Sequence, residues 1–181
     1  AISDVFFGAM MLFLLLYHFL GPLLPPVLFD ALIYHLEMPK LSILKHGIDY
    51  NPYNFYSNFP FLIEMLYTLG LLLQGAILVT CLNYSIHLLM LAGLYTFVRT
   101  YLNHRIALFS VLIFYTVPWV GIESFFPYID LGLGCYAWLA MYGLINWITR
   151  KEIGWSVLCG VFTGITVSIK YNGVHNALII R

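Results

Sequence analysis

The chain has 181 residues, eight Lys and Arg balanced by eight Asp and Glu, 62% hydrophobic and 9% charged residues, and a mean hydropathy of +0.90. A soluble domain carries roughly 45–50% apolar and about 25% charged residues, so this composition is that of an integral membrane protein. The zero net charge offers no field for nucleic acid or for an acidic protein partner, and Cys81, Cys135 and Cys159 lie in apolar runs without C-x-x-C spacing, as small core residues do.

A bilayer core takes about 20 apolar residues as a helix. Residues 5–20 form the first candidate span, closed by Gly21-Pro22 and Pro25-Pro26, which break any helix. Residues 29–75 then read as a loop on the membrane face carrying short interfacial helices. Asp30 is placed to cap one short helix, which Pro39 interrupts. A second starts at Pro39, has Lys45 and His46 in its last turn and stops at Gly47, by the usual proline-first, glycine-after asymmetry. Residues 61–73 are apolar but short of a full crossing, carry Glu64 turned toward interfacial water, and end at Gln74-Gly75. Four further spans are expected near 77–102, 106–120, 129–148 and 155–170. Arg99 with Arg105, and Arg150 with Lys151, mark the cytoplasmic turns, which puts Asp30, Glu123, Asp130 and the end of the last span near Lys170 on the outer face.

Several of these residues could carry chemistry, each beside a plainer role. Asp30 stands where the first span surfaces and can take a proton from a hydroxyl in reach; helix capping accounts for it equally well. Tyr34 follows it by one turn with His35 alongside, and a lone histidine is more often a structural hydrogen-bonder. Asp130 opens a hydrophobic helix, where the helix dipole favours its charge, or holds a divalent cation or a phosphate-bearing donor through one. Ionisable residues at membrane depth favour the second reading. Glu123 is a weaker candidate in a short loop. Lys170 could neutralise a leaving phosphate or simply snorkel to the interface. Tyr50, Tyr53, Phe55, Tyr56 and Trp119 could stack on sugars, but interface anchoring explains most of them. Asn83-Tyr84-Ser85 matches a glycosylation sequon inside a predicted span, an accidental match. No Walker loop, dinucleotide fingerprint, zinc spacing or nucleophile elbow is present.

In their order along the chain these features resemble the N-terminal half of the GT-C superfamily of polytopic glycosyltransferases, and within it the family 39-like and RgtA/B/C/D-like bacterial enzymes. The likeness rests on the acidic motif at Asp30 with Tyr34 one turn on, the Asn58-Phe59-Pro60-Phe61 entry to a helix, the span ending in Arg99 and Arg105, the span opened by Asp130, and the glycine-containing stretch ending in Lys170. The resemblance implies an all-α polytopic transmembrane bundle and an inverting transfer from a polyprenyl-phosphate sugar to a hydroxyl of a lipid, glycan or protein. It implies that Asp30 is the base and that Asp130 and Lys170 serve the donor or a metal, at the exterior face of a bacterial inner membrane; the residues themselves add Tyr34, His35 and Glu123 as candidates for support. Relatives often have Asp-Glu where this chain has Asp30-Ala31, and Lys-Gly where it has Lys170-Tyr171-Asn172-Gly173. The second carboxylate is therefore missing or comes from elsewhere. A start at Ala1 and a stop at Arg181 suggest a single membrane module cut from a longer protein. A transporter or lipid flippase is the main rival, but its ionisable groups belong near mid-span, whereas here they collect at span ends. A non-catalytic assembly subunit is a third reading that composition allows.

Overall fold

A computed structural model describes residues 2–48 and 50–180, and every regular element among them is helical. In lipid each backbone N–H and C=O must be paired, and long continuous apolar runs meet that need as helices, whose bonds lie within one segment. Helices α1 (Ile2–Leu20), α4 (Ala76–Tyr101) and α7 (Asp130–Arg150) are long and apolar enough to cross a membrane. The expected span at 106–120 is broken: α5 (His104–Thr116) and α6 (Pro118–Phe125) meet at 73°. Pro118 offers no N–H to the α5 ladder and keeps Val117 extended. Beyond the bend α6 packs against α1, α4 and α7 as a cross-arm over their ends. Helix α8 (Ile153–Ile169) has 17 residues, slightly under an upright crossing.

The loop after α1 differs from the sequence expectation in two places. Helix α2 (Glu37–Lys45) begins before Pro39, because a proline in the first turn has no intrahelical N–H bond to lose. It ends in a left-handed residue at His46 (φ 53°), with the Gly47 N–H closing on Ser42 O at 3.1 Å, so the stop falls one residue earlier than Gly47. Helix α3 (Leu62–Leu73) has the expected extent and turns through Gly75, whose φ of 83° suits glycine, into α4.

Side-chain pairings set the directions of the helices. Tyr67 bonds Asn83 and Gly70 abuts Val79, so α3 and α4 form an antiparallel hairpin. Tyr95 pairs with His104 and Tyr84 with Tyr115, making α5 antiparallel to α4. Ile86 lies by Gly132 and Leu139 by Gly93, so α7 runs parallel to α4; Gly143 packs on the Cys159 backbone, so α8 returns. The basic residues at the ends of α4 and α7 therefore share one end of the bundle. The start of α7, the end of α8, the cross-arm α6 and the segment around Asp30 share the other.

Candidate active site

The segment between α1 and α2 is held by a wide turn. Ala31–His35 is π-helical, with the Leu36 N–H donating to Ala31 O five residues back at 3.0 Å. Asp30 precedes this turn with helical φ and ψ, and its half-exposed side chain makes no capping hydrogen bond. Capping, the plain reading of Asp30, is thus not realised. Tyr34 is buried, stacked on Tyr56 at 4.3 Å, and its ring centroid lies 3.8 Å from that of His35. Burial pushes the Tyr34 phenol well above its ordinary range, and Asp30, Asp130 and Glu64 push in the same direction. Tyr128 is likewise raised by burial and then by Asp30, Glu123 and Asp130. Carboxylates from four separate segments thus each act on one or both of these phenols.

Glu64 does not face water. Only 2% exposed, it takes His35 Nδ1 on its Oε1 at 2.8 Å, while His35 is fully buried. Its helix entry gave one signal: Glu64, Tyr67 and Gly70 recur at the spacing of a single helix face, and that is the face α3 buries. Tyr67 continues the polar seam, donating to Asn83 Oδ1 at 3.0 Å and contacting Tyr128 O at 2.9 Å. The Asn83 amide donates in turn to Glu123 O and Phe126 O. Asn83 is therefore a buried clasp between α4 and the chain before α7, with no place for a glycan.

Glu123 is more than a loop acid. It is 3% exposed and accepts from the Leu131 N–H at 3.3 Å, so it caps α7 from the cross-arm. Burial first, then Asp130, lifts its carboxyl to about 7, against the opposing pull of the Leu131 N–H, Trp119 and Lys170. Asp130 itself is paired across the site: Lys170 Nζ donates to its Oδ1 at 2.7 Å, with Lys170 26% and Asp130 47% exposed. Lys170 turns back onto α7 rather than away to the interface. The departure from Lys-Gly has a structural basis here. The Gly173 N–H closes a turn on Lys170 O at 2.8 Å, and a Cβ on Gly173 would run into the Thr166 carbonyl, so the glycine is needed three residues after the lysine to start α9 (Gly173–Ile180). Tyr171, inside that turn, donates to Asn58 O at 2.8 Å and ties it to the Asp30 loop.

The expected residues Asp30, Tyr34, His35, Glu123, Asp130 and Lys170 thus come to one end of the bundle, and Glu64 joins them. No group of three His, Cys, Asp or Glu side chains suited to a metal occurs among the described residues; Asp130, one of whose two carboxylate oxygens is held by the Lys170 ammonium, is the residue that would share a cation with a donor phosphate.

The family described as Dolichyl-phosphate-mannose-protein mannosyltransferase matches residues 58–180. The chain belongs to this family. The matched segment covers Glu64, Glu123, Asp130 and Lys170 and begins after Asp30. No curated protein and no solved structure matches the chain. Family and composition together make it an integral membrane glycosyltransferase of GT-C type, with the all-α bundle that the resemblance implied.

Proposed function

We propose that this chain carries the catalytic end of an inverting glycosyltransferase that moves a sugar from a polyprenyl-phosphate donor to an acceptor hydroxyl of a lipid, glycan or protein. The supporting observation is that the turn carrying Asp30 and the Asp130–Lys170 pair lie at one bundle end, joined through the Tyr34–His35–Tyr128 ring contacts and the Tyr171–Asn58 hydrogen bond, since this reaction needs a base and a phosphate partner about one anomeric carbon. Asp30 takes the proton of the acceptor O–H. The oxygen forms its bond to the anomeric carbon from the face opposite the phosphate, the C–O bond to the phosphate breaks, and the configuration inverts. Lys170 passes from Asp130 to the departing phosphate, where a compact ammonium matches the growing charge. Transfer on the exterior face, in a bacterial inner membrane, follows from reading the Arg99, Arg105, Arg150 and Lys151 end as cytoplasmic. Transport is the weaker reading, because these groups collect at one bundle end rather than along a path.

Asp30→Asn tests the base. Asn keeps the size of the side chain and removes its basicity, so turnover of a lipid-linked sugar by the full-length protein should fall by roughly a hundredfold or more, with donor binding intact. A folded variant with near-normal transfer would overturn the assignment.

A further inference from the structure

The mechanism above leaves Glu64 without a role, yet Glu64 and His35 form a fully buried ionisable pair near the site. We propose that the His35–Glu64 pair is a clamp that holds the wide turn at Ala31–His35 and thereby fixes where Asp30 points. Both are then positioning residues, and the proposal rests on Asp30 being the base.

The turn needs such a clamp. An i→i+5 turn holds one residue more than an α-turn, and relaxing it to α would rotate Asp30 against α2 by one residue, about 100°. Three successive side chains, Tyr34, His35 and Leu36, all point inward at 8%, 0% and 9% exposure. On an α-helix three successive residues fan over about 200°, so the inward set marks the distorted turn. Among the described residues two side-chain hydrogen bonds leave this turn: the Asn54 amide donates to Ile33 O at 3.1 Å on the exposed side, and His35 Nδ1 meets Glu64 Oε1 on α3 at 2.8 Å in the interior, where no water competes for it. Packing alone does not account for it: His35 Nε2 and Glu64 Oε2 are both buried without a hydrogen-bond partner, and apolar side chains of the same shape generally pack as stably as a buried polar pair. What the pair adds is direction. Tyr34, on the same turn that follows Asp30, packs its ring 3.8 Å from that of His35.

The test is a double-mutant cycle on the full-length enzyme in nanodiscs, reading kcat and donor Kd. Glu64→Gln should lower kcat by about tenfold to a hundredfold, the scale of a 1 Å misplacement, with Kd unchanged. Added to Asp30→Asn, it should cost less than about twofold further, because Glu64 acts through a base already lost. The paired change His35→Phe with Glu64→Met keeps shape without leaving a lone buried charge, so it is expected to fold, and it should show the same loss and the same lack of addition to Asp30→Asn. Multiplying losses in both cycles, or wild-type turnover in the His35→Phe, Glu64→Met protein, would overturn the clamp and leave the base assignment standing. Near-normal turnover of Asp30→Asn would remove the base assignment, and the clamp with it.

Discussion

Two polar pairs of nearly equal length stand at the same end of the bundle in opposite settings. His35–Glu64 spans 2.8 Å at 0% and 2% exposure, whereas Lys170–Asp130 spans 2.7 Å at 26% and 47%. Burial separates their capacities. A fully buried pair cannot exchange partners without stranding a charge or a polar atom, so it specifies a shape. A half-exposed pair is screened by solvent and contributes little to stability, so its ammonium can move to another anion at small cost. The first is suited to holding the turn at Ala31–His35, the second to meeting a phosphate.

The largest effect that would test this contrast is on folding. His35→Leu leaves the Glu64 carboxyl buried without its donor and should lower unfolding stability by about 3–5 kcal/mol, read by thermal unfolding in detergent; a variant as stable as the wild type would mean that the pair does not hold the turn. Lys170→Ala should do the reverse, weakening donor affinity by about tenfold or more, as for loss of a bond between charged groups, while shifting stability by less than about 1 kcal/mol. Asp130→Ala, which leaves Lys170 without the carboxylate that positions it, should also weaken donor binding more than Glu123→Gln does, and a larger effect from Glu123 would reverse that ranking. A subtler result is expected from pH. Glu123 is raised in the folded protein to about 7 from 4.5, so between these values the folded state binds the extra proton and stability declines as pH rises through that window. Glu123→Gln can still accept from Leu131 and should flatten that decline; an unchanged slope would show that Glu123 is solvated. The smallest effect concerns Asp30, which caps nothing, so Asp30→Asn should alter stability by less than about 0.5 kcal/mol although it abolishes most turnover.

Local signals in the sequence determined a great deal. Runs of Leu, Phe and Ile required helices in lipid, proline and glycine marked most of their ends, and the charged residues at span boundaries marked Asp30, Asp130 and Lys170 as candidates. Each of these properties belongs to a residue and its near neighbours. Pro118 stood in plain view inside an expected span, but that it bends the chain by 73° into a cross-arm carrying Glu123 over α7 depends on what α6 packs against. Glu64 looked like a carboxylate facing water because its immediate neighbours do not reveal His35, 29 residues earlier, as its partner. The π-turn had no signature, since its extra residue is held by a contact from another helix rather than by its own propensities. Burial of a charge is a sum over distant segments, and so the tertiary structure alone decided which of the acids hold the site in shape and which remain free to exchange.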